Sequence, residues 1–412
     1  MEHKTLQKYA EVIIKKGINL YKGQCLSITC GIPDYEFALI LAECAYKNKA
    51  KYVDIAISSN ALTKERINNS NIEDLNFIPD YKNAQYNEYI ANDWAFIRID
   101  NTGEFDILQN INSDKLELIF KTERKIKKRY LEEASKHKLA WCVIASPNAK
   151  WASNIFKNEN ADSASKKLET ALEKILRIDK TDHLGEWDKH SNKLIERGSL
   201  LNSFKLDKLI IKSEKYKTLL EIGLLAASRW IGGPKKTPDG RSFIPNIPTE
   251  EVFTTPDFKR TSGKVYTTRP VVIMETTLFG VWFEFKNGKV INFGSDNNTD
   301  VLKKFIDTDS GSNRLGEVAL VDAQSLIYKS GLIFNSILYD ENASCHIALG
   351  NGYPSCLSNG QSLMTKDDLL AAGCNVSLVH TDFMIGAPDT EVTGVTVSGE
   401  KKEIIKNGNF CI

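Results

Sequence analysis

Apolar residues recur in the first half of the chain with two different periods. Helical spacing covers residues 6–18, 35–47 and 114–135, and short apolar runs typical of buried strands cover 24–30, 51–57, 95–99 and 139–145. Strands that alternate with helices of this length predict a parallel sheet with helices on its faces. We therefore predict an open α/β domain with a largely parallel sheet over residues 1–185.

The pattern changes from about residue 182 onward. Helical spacing predicts helices at 187–200 and 219–230, and segments rich in Gly, Pro and Thr then alternate with short strands. The predicted strands are 271–276, 281–285, 392–397 and 402–405. Asn287-Gly288 lies between apolar runs and predicts a tight hairpin. We predict that residues 186–412 form an α+β domain with mostly antiparallel sheet.

The size and charge of the chain narrow the possible functions. Its 412 residues exceed the size at which one hydrophobic core usually stops growing, which favours two domains. The net charge is +1, and the basic stretch at 121–138 also contains glutamates. We interpret that stretch as a solvated helix face and predict no nucleic-acid partner.

Features of the sequence also bear on its location. The N-terminal residues lack the apolar core of a secretory signal, and the longest apolar stretch, 219–231, contains charges and is too short to span a bilayer. The eight cysteines form no C-x-x-C pair, which favours reduced thiols. We predict a cytoplasmic protein without a membrane partner.

Several common functional signatures are missing. The sequence has neither a G-x-G-x-x-G nor a G-x-x-x-x-G-K-[ST] loop, so we predict no nucleotide-type cofactor. The G-x-S-x-G turn of many serine hydrolases and the H-E-x-x-H helix of many zinc proteases are also missing.

Polar residues at strand ends in the second half offer a different chemistry. His380 and Asp382 are two residues apart in an apolar run, so their side chains share one face of the predicted strand. Such a pair can bind a divalent cation, or it can be a hydrogen-bonded pair within the core. Further polar residues in similar contexts are Glu250, Glu251, Glu317, Glu341, His346 and Tyr353. A two-metal site requires several carboxylates, one of which bridges the cations, whereas each glutamate alone could be an exposed strand end.

Four segments in this half resemble the aminopeptidase T and aminopeptidase S family of metallo-exopeptidases. They are 243–256 (FIPNIPTEEVFTTP), 316–320 (GEVAL), 342–353 (NASCHIALGNGY) and 380–386 (HTDFMIG). Their order and separations fit the family, as does the length of the chain. The resemblance implies a metallo-aminopeptidase that removes the N-terminal residue from peptides with a free N-terminus.

The resemblance also implies a ligand set and roles. Two divalent ions per chain, of Zn, Co, Mn or Mg, would be held by Glu251, Glu317, Glu341, His346, His380 and Asp382. Glu317 would bridge them, and Glu341 would be a ligand or a neighbouring group. Tyr353 would be a ligand or would donate a hydrogen bond to the oxyanion of the reaction. The resemblance further implies a homodimer with active sites that face an enclosed interior.

The mechanism leaves two choices open. Either Glu317 or Glu341 carries the proton from the attacking water to the leaving amine. Glu250 is a candidate for recognition of the free amine by its position alone.

Two other function classes compete with this hypothesis. A two-metal hydrolase of another class, a phosphoesterase or a non-peptide amidohydrolase, would use the same ligand types and phosphate-binding arginines such as Arg260, Arg269 or Arg314. A dimeric scaffold with a structural metal is the third, although structural zinc prefers sites rich in cysteine.

Overall fold

The structure, a computed structural model, describes residues 1–104, 106–109, 111–274, 276–363 and 365–412. The chain divides into two compact units. Unit 1 consists of Met1–Asp188 and Pro234–Pro248, and unit 2 consists of Lys189–Gly233 and Thr249–Ile412. The domain boundary expected after residue 185 stays a prediction, and no feature of the sequence indicated that 234–248 would join the first unit.

The helices and strands follow one another along the chain. The helices are α1 (His3–Val12), α2 (Tyr35–Lys47), α3 (Asn60–Asn69), α4 (Asp80–Ala91), α5 (Ser113–Ser135), α6 (Ala149–Ile155), α7 (Ala161–Ile175), α8 (His183–Ser203), α9 (Thr299–Ile306), α10 (Leu326–Ser330), α11 (Ile337–Asp340) and α12 (Lys366–Ala371). The strands are β1 (Cys25–Cys30), β2 (Tyr52–Ile57), β3 (Ala95–Asp100), β4 (Trp141–Ala145), β5 (Leu206–Ser213), β6 (Thr218–Leu224), β7 (Ile231–Gly232), β8 (Lys235–Lys236), β9 (Ser242–Phe243), β10 (Glu251–Thr254), β11 (Pro256–Tyr266), β12 (Val271–Ile273), β13 (Thr276–Leu278), β14 (Trp282–Lys286), β15 (Lys289–Gly294), β16 (Leu315–Val321), β17 (His346–Gly350), β18 (His380–Met384), β19 (Glu391–Thr396), β20 (Lys401–Lys406) and β21 (Asn409–Phe410). None of the helices in the described part of the chain combines the length and the hydrophobicity needed to cross a bilayer.

Unit 1 is built on a four-stranded sheet with the order β2-β1-β3-β4. Each neighbouring pair of these strands is parallel. The strands β1 and β3 are largely buried, because their apolar runs are covered on both faces, as a parallel sheet requires. The prediction of an open α/β domain with a parallel sheet is confirmed.

A buried polar cluster lies at the carboxyl ends of β1, β3 and β4. Asp34 follows β1, and its carboxylate accepts hydrogen bonds from the Ser146 hydroxyl and from Asn148 Nδ2, the latter at 3.4 Å. Burial outweighs these bonds and raises the pKa of Asp34 to about 6, and the charges of Asp100 and Glu104 add to the rise. The second carboxylate oxygen of Asp34 is buried without a hydrogen-bond partner in the described chain.

We expect Asp34→Asn to stabilise the protein above about pH 6. The pKa of Asp34 lies above its ordinary value of 3.8, so the folded state binds this proton more tightly than the unfolded state does. The stability that the proton contributes is fully present below about pH 4 and is lost as the pH rises through about 6. A shift of this size corresponds to about 2–3 kcal/mol, and asparagine keeps an acceptor for Ser146 without the charge.

Urea unfolding of wild type and Asp34→Asn at several pH values between about 4 and 8 measures this effect. The difference between the two free energies of unfolding should grow with pH in favour of the variant. A variant less stable than wild type at pH 8 would contradict the argument, since it would mean that the folded state needs the ionised carboxylate.

Unit 2 contains an eight-stranded and a five-stranded sheet. Their orders are β15-β14-β11-β6-β5-β19-β20-β21 and β18-β17-β16-β10-β7, and the paired strands within both run antiparallel. Apolar side chains of both sheets form one core. Phe283 of β14 and Phe383 of β18 meet edge to face there, with ring centroids 4.8 Å apart. The prediction of an α+β domain with mostly antiparallel sheet is confirmed.

The helix predicted at 219–230 is wrong, because Thr218–Leu224 forms strand β6. Thr218, Leu220 and Ile222 are buried, whereas Leu219 and Glu221 between them are exposed. This two-residue period was hidden in the sequence because Leu219 is apolar although it faces solvent. The preceding strand β5, which the sequence analysis missed, pairs with β6 along its length.

The hairpin predicted at Asn287-Gly288 is present between β14 and β15. Asn287 and Gly288 have φ values of 51° and 78°, the left-handed conformations that a two-residue type I′ turn needs. The single strand predicted over 271–276 is instead part of an antiparallel pair, β12 with β13, and Glu275 lies outside the described residues.

Candidate metal centre

The five-stranded sheet of unit 2 carries the metal ligands expected from the family resemblance, except Glu341, on one face. Side chains alternate along each strand, so Glu251 and Phe253 of β10 share a face. The register of the neighbouring strands extends that face, which we call the ligand face, across β16, β17 and β18. The ligand face carries Glu251, Phe253, Glu317, Ala319, His346, Ala348, His380 and Asp382.

Two alanines occupy the positions between the potential ligands. Ala348 lies opposite Glu317 on one side and opposite Asp382 on the other. Ala319 lies opposite His346. Both alanines are fully buried. A longer side chain at either position would project among the carboxylates, so the register explains why these positions hold only a methyl group.

The side chains on the ligand face form two groups that share Glu317. One group contains Glu251, Glu317 and His346, and in each group one potential ligand atom per residue lies within 4.8 Å of the others. The second group contains Glu317, His380 and Asp382. The position of Glu317 in both groups is the one that a bridging carboxylate would need.

Backbone carbonyls orient both imidazoles towards the carboxylates. His346 Nδ1 lies 3.2 Å from the carbonyl oxygen of Ser344, and His380 Nδ1 lies 2.8 Å from that of Asn351. Because these carbonyls can only accept, each Nδ1 carries the hydrogen, and Nε2 is left as the atom that can bind a metal. His346 Nε2 lies 3.1 Å from Glu251, and His380 Nε2 lies 3.2 Å from Glu317.

The electrostatics of the cluster are those of crowded carboxylates. Burial raises the pKa of Glu317 to about 7, and the charges of Glu251 and Asp382 add to the rise. Burial alone would lower the pKa of His346, but its hydrogen bond to Glu251 and the surrounding charges raise it to about 10. The pKa of His380 is also raised against the effect of burial, mainly by Asp382. In the metal-free protein, the protonated imidazoles therefore offset part of the negative charge of the carboxylates.

These residues fit divalent cations. Carboxylate oxygen and imidazole nitrogen are the donors that Zn, Co and Mn accept in proteins. Glu251, Glu317 and Asp382 are 8%, 3% and 8% exposed, and buried carboxylates so close together are costly unless positive charge compensates them. Asp382 Oδ1 is buried, and its contact with His380 Nε2 at 3.5 Å is too long for a strong hydrogen bond, so it is available as a ligand atom.

Glu341 lies beside the two groups rather than within either. It begins a 3-10 turn, Glu341–Ala343, shortly before β17. Desolvation raises the pKa of Glu341 well above its ordinary value, and the charges of Asp382 and Glu251 contribute. Its carboxylate accepts a hydrogen bond of 3.3 Å from Asn342 Nδ2. A carboxylate beside the ligand face, outside both ligand groups, is placed to accept a proton during the reaction.

Asn342 is a residue of the site whose importance the sequence did not reveal. It is fully buried, and its Oδ1 accepts the backbone N–H of Glu250 at 2.7 Å. Its Nδ2 donates to the Leu338 carbonyl at 3.0 Å as well as to Glu341. One amide thus connects the start of β10 to the Glu341 carboxylate. Asn342 is the first residue of the segment 342–353, but its hydrogen bond to Glu250, 92 positions earlier in the chain, could not be predicted from the local sequence.

Tyr353 stands at the exposed side of the cluster. Its hydroxyl lies 3.2 Å from His380 Nε2, and 37% of the residue is accessible to solvent. Desolvation and the charges of Glu317 and Asp382 raise the pKa of Tyr353 well above its ordinary value. The hydroxyl therefore keeps its hydrogen at neutral pH and can donate it to an oxyanion.

The structure gives the remaining candidates other partners. Glu250 lies 3.8 Å from His190, and its place in amine recognition stays a prediction. Arg260 binds both oxygens of Asp207, and Arg269 lies 3.3 Å from Asp340 and donates to a backbone carbonyl. Arg314 donates to the Phe258 carbonyl at 3.0 Å. These partners do not favour a role in phosphate binding.

A sheet with histidines and buried carboxylates gathered around a shared glutamate defines a metal-dependent enzyme. The sequence model of the thermophilic metalloprotease family, M29, matches residues 2–410. The chain belongs to this family, and the resemblance inferred from its motifs is confirmed.

Named relatives extend the match over nearly the whole chain. Aminopeptidase 2 of Geobacillus stearothermophilus is 34% identical over 408 residues, which are 99% of this chain and 98% of the relative. Aminopeptidase T of Thermus thermophilus is 31% identical over 409 residues, 99% of each chain. The solved structure of wild-type AmpT from Thermus thermophilus has a TM-score of 0.91 at 30% identity and covers 99% of each chain. The predicted enzyme class, a metal-dependent aminopeptidase, is confirmed.

Proposed function

We propose that the protein removes N-terminal residues from peptides by means of two divalent cations held on the ligand face. The observation that supports this most is Glu317, which belongs to both groups of potential ligands. In this proposal Glu251 and His346 hold one ion, and His380 and Asp382 hold the other. Glu341 completes the site as a ligand or as its neighbour.

The carboxylate and imidazole ligands indicate what bound ions would do in the reaction, but they do not identify the metal. Bound Zn, Co, Mn or Mg would supply Lewis acidity, which activates water and polarises the scissile carbonyl. The protein contributes fixed orientation, because backbone carbonyls hold both imidazoles and the sheet register fixes the carboxylates.

Glu341 is our choice for the group that moves the proton. Glu317 is engaged by His380 and shared between the two ligand groups, so its oxygens are occupied in the proposed site. Glu341 has a single hydrogen bond to Asn342 in the described chain and lies beside the cluster, outside both ligand groups. It would accept the proton of the attacking water and pass it to the leaving amine.

Tyr353 would stabilise the charge that develops on the substrate. Its hydroxyl stays protonated and lies at the accessible side of the cluster, where the carbonyl must enter. A hydrogen bond donated to the oxyanion is stronger in the transition state than in the bound substrate, which is the condition for catalysis.

Further parts of the proposal follow from the family. We propose a homodimer whose active sites face an enclosed interior, which would limit substrates to peptides. A carboxylate at the site, Glu250 among the candidates, would recognise the free amine. The cytoplasmic location also stays a proposal, supported by cysteines that are not joined in disulfides.

Hydrolysis of matched chromogenic substrates tests the function. Leu- and Arg-p-nitroanilide, each with a free and an acetylated amine, are offered to chelator-stripped protein with and without added Co²⁺ or Zn²⁺. We expect cleavage only of the free-amine substrates and only after metal is restored, because bound ions would supply the Lewis acidity that the reaction needs.

A phosphate ester, p-nitrophenyl phosphate, is assayed beside them to represent the other class of two-metal hydrolase. Cleavage of the ester without cleavage of any anilide would contradict the proposal. Equal cleavage of free and acetylated anilides would contradict the restriction to N-terminal residues while leaving a metal-dependent amidase.

A further inference from the structure

An apolar strip runs across the ligand face from its edge to His346. Ile231 of the edge strand β7 lies opposite Phe253, which lies opposite Ala319, and Ala319 lies opposite His346. Cross-strand partners point to the same face of a sheet. The strip Ile231-Phe253-Ala319 therefore borders the proposed metal ligands directly, with Phe253 two residues after Glu251 on the same face of β10.

Part of the surface of this strip remains accessible to solvent. Phe253 and Ile231 are each half-buried, although Val252 and Thr254 on either side of Phe253 are buried. The Phe253 ring meets the Tyr353 ring edge to face, with centroids 5.6 Å apart. The Tyr353 ring in turn contacts the His380 imidazole at 5.0 Å. Accessible aromatic surface thus continues up to the group that would contact the scissile carbonyl.

We propose that Ile231, Phe253 and the ring of Tyr353 form an apolar subsite for the substrate side chain next to the scissile bond. This inference rests on the proposed function, because the subsite is defined relative to the metal ligands. Accessible apolar side chains beside an otherwise polar site gain free energy when a ligand covers them. No role in the reaction itself is needed from Ile231 or Phe253.

The apolar lining of the subsite decides which side chains it accepts. The side chains of Ile231 and Phe253 offer no hydrogen-bond partner, so an acidic side chain placed against them would lose hydration without compensation. An aliphatic or aromatic side chain would instead bury apolar surface against Phe253. The substrate class is therefore peptides with Leu, Met, Phe or a similar residue beside the cleaved bond.

Two substrate series in wild type and two variants test the subsite. The first series is Ala-, Leu- and Phe-p-nitroanilide, and the second is the dipeptides Ala-Ala, Ala-Leu and Ala-Phe, so that either side of the bond is probed. We expect Phe253→Ala to lower the ratio of kcat/KM for Leu or Phe to that for Ala by about tenfold or more, in at least one series. Phe253→Leu should keep most of that preference.

Phe293→Ala is the matched control, because it removes a half-buried phenylalanine from β15 of the other sheet. It should leave both ratios at their wild-type values. If Phe253→Ala misfolds, the comparison passes to Phe253→Leu and Ile231→Ala, for which we expect smaller losses in the same direction.

The outcomes separate the subsite from the proposed function. If wild type cleaves free-amine substrates but the Phe253 variants keep the wild-type kcat/KM ratios, the subsite alone is overturned. A uniform loss for small and large side chains would also overturn it, because that result would assign Phe253 to the packing of the site. Wild type that cleaves no peptide substrate would overturn the proposed function and the subsite with it.

Discussion

Replacing Glu317 by glutamine should reduce kcat/KM by about a thousandfold or more and lower the amount of bound metal. Glutamine keeps the volume of the side chain but presents only one neutral oxygen, so it cannot serve as the bridge that we propose. Steady-state kinetics and metal analysis of the purified variant measure both effects. Wild-type turnover by a metal-loaded variant would remove Glu317 from the site.

The same substitution should leave the metal-free protein at least as stable as wild type. Glu317 is 3% exposed, and burial and neighbouring charges raise its pKa, so the ionised group is a cost to the fold. Loss of activity without loss of stability would identify a functional carboxylate. Glu221→Gln on β6 is the control, since its carboxylate is exposed and, among the residues that the structure describes, pairs with Lys208, and it should keep full activity.

Replacing Tyr353 by phenylalanine should lower kcat by about a hundredfold to a thousandfold, with little change in KM or metal content. The variant loses only the hydroxyl that lies 3.2 Å from His380 and would reach the oxyanion. The ring contacts with Phe253 and His380 remain, so the side-chain preference of the enzyme should persist.

A phosphinic dipeptide, which mimics the tetrahedral geometry of the reaction, tests this assignment independently. Its affinity should fall by a factor similar to that in kcat, whereas affinity for a substrate-like product should not. Tyr266→Phe on β11 is the matched control and should behave as wild type. A change confined to KM would contradict the proposed role of Tyr353.

The sequence predicted the four strands of the parallel sheet of unit 1 and its helices α1, α2 and α5, because each of these has one dominant signal, but it missed α3, α4, α6 and α7. The segment 35–47 has uninterrupted helical spacing and forms α2 over the same residues, and the run at 95–99 forms β3 with one residue added. The prediction failed at 219–230 because Leu219 is an exposed apolar residue on a strand, so the local pattern and the tertiary burial disagree.

The residues of the site were predicted from motifs, whereas their arrangement depended on the fold. The pair His380 and Asp382 could be placed on one face from spacing alone. That Glu317 faces both this pair and His346 depends on the register of β16, β17 and β18, which includes an irregularity between Leu315 and Glu317. The role of Asn342 and the apolar strip at Phe253 depend on cross-strand neighbours and could not be predicted from single segments.

The distribution of the potential ligands along the chain has a consequence during protein synthesis. Glu251, Glu317, His346 and Asp382 lie on strands β10, β16, β17 and β18, and the sheet that aligns them is incomplete until the last of these strands has paired. On the proposed assignment, a nascent chain on the ribosome lacks His380 and Asp382 of β18 until late in synthesis. We therefore expect a chain that ends before β18 to be inactive towards peptides.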